Sequence, residues 1–518
     1  SVGADYDEWC SLVAVHPRQN RHIYLASFGM QHSFDAWNYA DSPGTHSDHH
    51  QMVFHRSNDD LAYVCCDGGV YRTTDNGASW HLRSDLLTAT QLMSLGVSAS
   101  GPLVIGSATQ DQGIIQTDGS STWADHGGGN EWGMFVVDPS DSANIFISPG
   151  GGQLRRSTDR GLTYSNPTGG LTDWWAAQNR NTAVASFAHV AVKPGDGSII
   201  VGVATVSDEA KDAAGNVVAT YAAKHRIYYS SNRGVDWSGV LTLPHRGSRV
   251  AFAPSDPARV YVATSQGRVY RSAASGGSGW TEPATVANRP PAQLITSIAV
   301  DPFDRDRVYI TYGSTNPHIY RSTDAGATWA ACNGTDPSMQ LPDIALLDVV
   351  IDTENPDVLY VASDIGVFRS NDRGSTWYWA NDSFEEFDLP RVPVTQLGIH
   401  PATHRLYAAT MGRGLYYTQA TGIVSMRATH VRLQHEFPKP MGILKLRLTD
   451  GANTYTMTRQ EVIRRIQAGT EVYTLGPNGG RTRVRTLMPD AAHPQEYLST
   501  APDATTANNL LSLPRFYG

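Results

Sequence analysis

Three side chains that can bind a metal ion or carry a proton alternate in the segment HSDHH near the start of the chain. His46, Asp48 and His50 stand two residues apart, and residues two apart in an extended segment project to the same side. Two imidazoles and a carboxylate on one side could hold a divalent ion such as Zn²⁺ or Ca²⁺. Asp67, together with Cys65 or Cys66 in the same segment CCDGG, could complete the shell. The alternative is that these groups form hydrogen bonds that brace a long preceding loop, GMQHSFDAWNYADSPG.

Four carboxyl groups are candidates for acid and base catalysis. They lie in HSDHH, CCDGG, TQDQG and HGGGNEWG, and they are Asp48, Asp67, Asp111 and Glu131. Glycoside hydrolysis needs two carboxyl groups that flank the scissile bond, about 5–9.5 Å apart. A pair drawn from these four could perform that reaction.

Polar and aromatic side chains in the same kinds of segment could bind a ligand. Gln110 lies in TQDQG and Arg413 in MGRG. Trp37 and Trp132 lie outside the repeated tryptophan position described below, and aromatic rings can stack on sugar rings. These four residues are therefore predicted ligand contacts, with burial against neighbouring strands as the alternative for the tryptophans.

A repeated turn motif, Ser/Thr-x-Asp-x-Gly-x-Ser/Thr-Trp, shows which elements must position these residues. Intact copies are TTDNGASW from residue 73, STDAGATW from 322 and SNDRGSTW from 370, and degenerate copies are STDRGLTY from 157, SSNRGVDW from 230 and SAASGGSGW from 272. Alternating apolar strands joined by Asp-Pro and Gly turns precede the motif, as in SIAVDPFDRDRVYITY. Each unit is therefore four antiparallel strands, A to D, which is typical of a β-propeller blade.

The spacing of the units predicts an all-β, multi-bladed β-propeller over residues 1–422. Strand A is expected to begin near residues 11, 48, 92, 132, 187, 247, 295, 345 and 394. Nine starts predict eight or nine blades, and seven are possible if some starts belong to insertions. The last unit lacks its own aspartate turn, so a strand from residues 1–10 could complete it and close the ring.

Propeller topology sorts the loops by face. The A–B and C–D connections lie on one face, and the B–C loops and D–A connections lie on the other. The repeated aspartate turns are C–D turns, so their carboxylates are predicted to be structural. CCDGG, TQDQG and MGRG are B–C loops and HGGGNEWG is a D–A connection. The candidate residues are therefore expected to share the opposite face, where loops on a rigid scaffold carry ligand contacts.

Residues 423–518 have a different pattern and predict a small α+β domain of unknown function. Strands are expected around MGILKLRL and TRVRTL, and a helix from about Thr458, which can cap it, to Gly469. The segment carries 12 Lys and Arg against 7 Asp and Glu, although the whole chain has a net charge of −9. It is similar to an uncharacterised bacterial domain family with the same YLSTAPDATTANNLLSLP ending.

Composition excludes several function classes. The acidic main domain makes nucleic acid an unsuitable partner, and no apolar run of 18 residues predicts a membrane span. Four cysteines in 518 residues do not form a disulfide framework. The chain begins at Ser1 without a signal-like segment, which suggests a processed or excised product.

The repeated turns resemble the Asp-box (BNR) repeats of the xyloglucan-hydrolase, sialidase and sortilin-like propellers. CDGGVYRTTDNGASW and ATMGRGLYY are similar to a bacterial subgroup usually labelled glycosyl hydrolase. The resemblance implies a secreted protein with a polysaccharide or glycan partner. It also implies that Asp67 occupies the position of a catalytic aspartate in a Thr-Asp-x-Gly-Gly loop, with one residue fewer before the glycines, while those relatives supply the partner acid from a second propeller.

Three functions therefore stay open at the level of sequence. The first is a propeller that binds or processes a glycan. The second is a protein-interaction or assembly module without catalysis, and the third is a metal-dependent enzyme centred on His46, Asp48 and His50.

Overall fold

The computed structural model describes most of the chain up to residue 420 and parts of the remainder. The described residues are 12–42, 44–84, 89–126, 133–148, 154–166, 171, 185–211, 217–314, 316–335, 337–381, 384, 388–420, 425–433, 443–449, 454–458, 462, 471–475, 481–487 and 497–500. Within them, helical structure consists of two 3-10 turns, Val286–Asn288 and Pro337–Met339, and the single residues Asn381 and Val462. None of the helices in these ranges is long and apolar enough to cross a membrane.

Nine antiparallel sheets follow one another between residues 12 and 419. The first two are β1 (Leu12–Val15), β2 (Ile23–Ala26), β3 (Met30–Ser33) and β4 (Ala40–Asp41), then β5 (His49–Phe54), β6 (Ala62–Cys66), β7 (Gly69–Thr73) and β8 (His81–Leu82). The third to fifth are β9 (Gly96–Val97), β10 (Ile105–Thr109), β11 (Gly113–Thr117) and β12 (Ala124–Asp125), then β13 (Met134–Val137), β14 (Ile145–Ser148) and β15 (Arg155–Ser157), then β16 (Ala185–Val192), β17 (Ile200–Lys211), β18 (Val217–Ser230) and β19 (Ser238–Leu243).

The remaining four sheets repeat the same order of neighbouring strands. They are β20 (Gly247–Phe252), β21 (Val260–Thr264) and β22 (Val269–Ser272), then β23 (Ile295–Asp301), β24 (Asp304–Tyr312), β25 (Ile319–Ser322) and β26 (Ala330–Ala331), then β27 (Leu346–Ile351), β28 (Leu359–Ser363), β29 (Gly366–Ser370) and β30 (Tyr378–Trp379), then β31 (Val394–His400), β32 (Arg405–Thr410) and β33 (Leu415–Gln419). The predicted all-β architecture is confirmed, and each predicted start of strand A lies within four residues of an observed strand.

Seven of the nine sheets, the third to the ninth, close a ring. Apolar side chains fill the interface between each sheet and the next from the third to the ninth. The ninth sheet then packs on the third through Tyr407 and Ala409 against Leu92, Leu95 and Ile105. Burying a Leu, Ile or Tyr side chain of this kind stabilises a fold by about 1.5–3 kcal/mol. The sequence allowed seven blades, and seven is the number that forms the closed propeller.

The closure also uses hydrogen bonds to the backbone between distant parts of the chain. The amide of Leu92 donates to the carbonyl of Thr410 over 3.0 Å, and the hydroxyl of Thr395 donates to the carbonyl of Leu92 over 2.7 Å. The proposed completion of the last sheet by residues 1–10 lies outside the described residues.

The first two sheets pack against each other beside the ring and share a separate core. Tyr24, Ala26, Met52, Val64 and Trp80 are buried between them. The segment before β5 was expected to be one long loop, but that prediction is wrong because it contains β3 and β4. A short aspartate turn joins these two strands, in which the Asp35 carboxylate accepts hydrogen bonds from the hydroxyl of Ser33 and the amides of Trp37 and Asn38.

The repeated aspartate turns all have one geometry. In the copy at residues 73–80, Asp75 Oδ1 accepts hydrogen bonds from the Thr73 hydroxyl and the Ser79 amide, at 2.7 and 2.9 Å. Asn76 and Gly77 both have a positive φ, which explains the glycine in the motif. The same contacts recur in the copies that begin at residues 157, 322 and 370. The carboxylates of these turns are therefore structural.

A separate six-stranded sheet forms after residue 424. Its strands are β34 (Ser425–Leu433), β35 (Ile443–Thr449), β36 (Thr454–Thr458), β37 (Glu471–Leu475), β38 (Arg481–Leu487) and β39 (Tyr497–Thr500), in the order β36-β35-β34-β37-β38-β39. β34 and β37 are parallel, and the other pairs are antiparallel. The predicted helix lies outside the described residues except for Val462, and the boundary at residues 422 and 423 stays a prediction.

Candidate functional site

His46 lies where the second sheet approaches the ring. Its Nε2 is 3.1 Å from the carbonyl oxygen of Asp111, in the B–C loop of the third sheet. Its side chain also lies over Gly68, because a Cβ atom placed there would be 2.3 Å from the Cβ of His46. A single imidazole therefore touches both the loop that carries Asp67 and the loop that carries Asp111.

The predicted metal site does not form, because the segment is not extended. Asp48 has a φ of +61°, in the left-handed region, and β5 begins only at His49. His50 stands at a β-bulge, where the pairing of β5 with β6 shifts between His49 and Gln51. Both features break the period-two alternation that would place three side chains on one side. Among the described residues, no group of three or more His, Cys, Asp or Glu side chains could hold a metal ion.

His50, near the start of β5, pairs with Asp67 in the B–C loop of the second sheet. The Nε2 atom of His50 is 2.5 Å from Oδ1 of Asp67, and the two side chains are 51% and 34% exposed. The backbone amide of Asp67 donates to the carbonyl of Asp48 over 3.2 Å, which fixes the loop that carries the carboxylate. Asp67 is therefore positioned at the surface, with an imidazole that orients it.

Sequence reasoning missed the role of His49. Its Nδ1 lies 3.0 Å from the carbonyl oxygen of Ser27 and its Nε2 lies 2.9 Å from the hydroxyl of Thr45. Burial lowers the pKa of His49, so the neutral imidazole bridges the first sheet to the segment before β5. The sequence does contain a signal for this role: neighbouring residues of a strand point to opposite faces, so one of the adjacent His49 and His50 must point into the protein.

Gln110 and Asp111 form the tip of the B–C loop of the third sheet. The backbone amide of Gln110 donates to the carbonyl of Gln91 over 3.0 Å, and its side-chain amide donates to Oδ1 of Asp111 over 3.2 Å. Asp111 has a φ of +60°. A carboxylate held on a left-handed residue at a loop tip is turned away from the regular strand direction, and such strained positions cluster at functional sites.

Arg413 lies in the B–C loop of the ninth sheet, beside the same segment. The amide of the following residue, Gly414, donates to the carbonyl of Thr90 over 3.2 Å, and Gln91 forms a β-bridge with Met411. Residues 90–92 therefore connect the loop of Arg413 to the loop of Gln110. We call this place, where the loops of His46, Asp67, Asp111 and Arg413 meet the ring closure, the closure cleft.

The other predicted site residues do not add to the closure cleft. Trp37 lies in the C–D turn between β3 and β4 and is 85% exposed, so it occupies the face of the aspartate turns rather than the face of the B–C loops. Glu131 and Trp132 lie outside the described residues.

The vicinal cysteines alternate across β6 and do not join the cleft as ligands. Cys66 is buried, its thiol lies 3.6 Å from the carbonyl oxygen of Gly69, and burial raises its pKa. The thiol of Cys65 donates to the carbonyl of Gln51 over 3.5 Å. Both are free thiols, as is the buried Cys332.

Chemically, the closure cleft offers the carboxyl groups of Asp67 and Asp111 on two loops that His46 contacts, and the amide of Gln110 on one of these loops. Glycoside hydrolysis uses a pair of carboxyl groups that flank the scissile bond. The neighbouring guanidinium of Arg413 and the amide of Gln110 could donate hydrogen bonds to hydroxyl groups of a substrate.

Comparison with known proteins gives partial similarities. No family model matches the chain. The chain is 26% identical over 331 residues to the xyloglucanase Xgh74A of Acetivibrio thermocellus, which covers 54% of this chain and 37% of that protein. It is 24% identical over 307 residues to a xyloglucanase of a Paenibacillus species, covering 57% and 22%. The aligned part thus spans less than two-fifths of the length of these relatives.

Solved structures with a similar course include the GH74 enzyme of Niastella koreensis, at 14% identity and a TM-score of 0.31, covering 89% of this chain and 78% of that one. YCF48 from Cyanidioschyzon merolae is similar at 13% identity and a TM-score of 0.37, covering 62% and 93%.

Proposed function

We propose that the protein binds and hydrolyses a polysaccharide at the closure cleft, with Asp67 and Asp111 as the acid and base pair. The observation that carries this proposal is the position of His46, which contacts both the loop that carries Asp67 and the loop that carries Asp111. The names of the relatives, which are xyloglucanases, favour a β-glucan with side branches as the substrate. A polysaccharide of that kind lies outside cells, so the proposal includes an extracellular location.

The two carboxyl groups have different surroundings in this mechanism. Asp67 is oriented by the imidazole of His50, so it faces a fixed direction and acts as nucleophile or base. Oδ1 of Asp111 accepts a hydrogen bond from the side-chain amide of Gln110, which orients the carboxyl group, and in this proposal its other oxygen, Oδ2, carries the proton for the leaving oxygen. Two such carboxyl groups transfer the proton and activate the attacking group on opposite sides of the bond.

The test is the release of reducing ends from xyloglucan by the whole chain. Asp67→Asn and Asp111→Asn should each lower kcat at least 100-fold with little change in KM, because the amide can neither accept nor donate the proton. Asp364→Asn is the matched control, since Asp364 occupies the same B–C position in the eighth sheet, which contributes none of the loops of the closure cleft. Equal activity of all three variants, or no release by the unaltered chain, would overturn the proposal.

One observation favours the assembly alternative, which stays a prediction. Eight of the exposed large apolar side chains lie in the first two sheets, which are Val13, Val15, Phe28, Phe34, Trp37, Val53, Tyr63 and Leu82. In the ring, each sheet packs between two others, whereas among the described residues the hydrophobic core of these two sheets lies between them alone. Light scattering that shows a concentration-dependent increase in mass, together with no polysaccharide binding, would support assembly over hydrolysis.

A further inference from the structure

The innermost strands of five consecutive blades carry one repeated irregularity. In β16, β20, β23, β27 and β31, the pairing with the next strand shifts at the same place. The residue that follows each bulge lines one cavity on the axis of the ring, and these residues are His189, Arg249, Ser297, Asp348 and Gln396. A β-bulge re-aims the side chain next to it, and here it places a polar group in the channel at five successive blades.

Three of these five side chains accept hydrogen bonds from a neighbouring blade. Asp348 Oδ1 accepts from the Ser297 hydroxyl at 2.5 Å, and its Oδ2 accepts from the amide of Leu397 at 2.8 Å. Oε1 of Gln396 accepts from the amide of Leu95 at 2.9 Å, and Nδ1 of His189 accepts from the amide of Val250 at 3.3 Å. These hydrogen bonds link neighbouring blades around the axis. In each of them Asp348, Gln396 or His189 supplies the acceptor atom.

The donors that remain in the channel include the side-chain amide of Gln396, the guanidinium of Arg249 and the ring of His189. Burial lowers the pKa of His189 to about 3, so the ring is neutral. Because Nδ1 accepts a hydrogen bond, the proton of that ring is on Nε2, which is a donor. The guanidinium of Arg249 donates through Nη1 to the carbonyl of Ser248 over 3.0 Å, and it has five N–H groups in total.

Arg249 is a buried cation whose charge the Asp348 carboxylate favours without forming a direct ion pair with it among the described residues. Among the described residues, no ion pair within 4.0 Å joins it to Asp348. Burial lowers the pKa of Arg249, Asp348 opposes that change, and the nearby Arg246 adds further positive charge. A buried charge is costly unless it is paired and hydrogen-bonded, so the position calls for an anion.

The size and walls of the cavity define the kind of anion. The cavity has a volume of about 310 Å³, at the small end of ligand sites. Most of the other residues that line the cavity are apolar, and they include Ile298, Val300, Val350, Ile351, Leu397 and Ile399. We propose that the channel binds a small carboxylic acid with an apolar body, the carboxylate held by Arg249 and His189. A planar guanidinium suits a carboxylate because it can donate two parallel hydrogen bonds.

This site is separate from the closure cleft, since none of the residues that line it belongs to the loops of His46, Asp67, Asp111 or Arg413. Its test is therefore independent of the proposed hydrolysis.

The experiment is calorimetric titration of the whole chain with butyrate, and with inorganic phosphate as the second probe. Butyrate should bind with a saturable heat, and Arg249→Met should weaken it at least 10-fold while the fold is retained, because Met keeps much of the apolar stem. Arg305→Met is the control, since Arg305 is a half-exposed arginine paired with Asp256 on the surface, and it should bind butyrate as the unaltered chain does.

His189→Asn keeps the test decisive if Arg249→Met does not fold. Asn can accept the hydrogen bond of Val250 but does not present the Nε2 donor, so butyrate should bind several-fold more weakly. Absence of butyrate binding, binding that neither variant weakens, or saturation by phosphate alone would overturn the proposal.

Discussion

Adding one methyl group at Gly68 should displace His46 and open the closure cleft. In the Gly68→Ala protein the new Cβ would be 2.3 Å from the Cβ of His46 and 2.6 Å from its Cγ, well inside van der Waals contact. Gly68 does not have a left-handed φ, so its backbone accepts alanine and the effect arises from the clash alone. The imidazole must move, and the contact of its Nε2 with the carbonyl oxygen of Asp111 is then lost.

The cost has two parts. Forcing an extra methyl group into a packed position costs about 1–3 kcal/mol. The lost hydrogen bond between His46 and Asp111 adds about 1 kcal/mol. We therefore expect the free energy of unfolding to fall by roughly 2–4 kcal/mol, and we expect the affinity for xyloglucan oligosaccharide to fall because the two loops are no longer held together.

Urea unfolding and oligosaccharide titration of the same preparations measure both effects. Gly29→Ala is the matched control, because Gly29 lies in the neighbouring sheet and a Cβ there meets nothing within 4 Å. If Gly68→Ala proves as stable as Gly29→Ala and binds the oligosaccharide equally well, the contact of His46 with the two loops is not what organises the cleft.

Two further perturbations separate scaffold from site. Asp75→Asn should weaken the turn that accepts hydrogen bonds from Thr73 and Ser79 and lower the free energy of unfolding by about 1 kcal/mol, while xyloglucan hydrolysis at saturating substrate stays unchanged because the turn lies on the opposite face. Burial, with the neighbouring His32 and His16, lowers the pKa of His22 from 6.5 to about 4. Between these pH values the unfolded chain therefore binds more protons than the folded chain. The free energy of unfolding should fall as the pH drops from 6.5 to 4, by at most about 3 kcal/mol. His22→Phe, which can pack on Phe34 and Tyr24, should flatten the pH dependence of urea unfolding over that window, and an unchanged slope would show that another group titrates.

The positions of the strands were predictable because they depend on local pattern. Alternating apolar residues and Asp-Pro or Gly turns fix where each strand A begins, and the Thr73–Trp80 motif fixes its C–D turn. These signals repeat along the chain, so each unit supports the interpretation of the next.

The number of sheets in the closed ring and the geometry of the site were less predictable, because both depend on contacts between residues that are far apart in the sequence. Nothing near Leu92 in the sequence indicates that it packs on Tyr407 rather than on the second sheet, so the number of closed blades stayed open. The left-handed φ of Asp48 and the bulge at His50 interrupt the regular alternation on which the predicted set of three metal ligands depended. The sequence predicted that the loops of Asp67, Asp111 and Arg413 share one face, whereas the directions of the side chains required the fold.

Hydrogen exchange of the chain with and without a xyloglucan oligosaccharide tests the location of the site most directly. Binding at the closure cleft should slow exchange of backbone amides in residues 46–50, 67–69 and 110–113, and leave the aspartate turns at residues 73–80 and 322–329 unchanged. Protection confined to the aspartate turns, or absent from all three cleft segments at a saturating oligosaccharide concentration, would contradict the account.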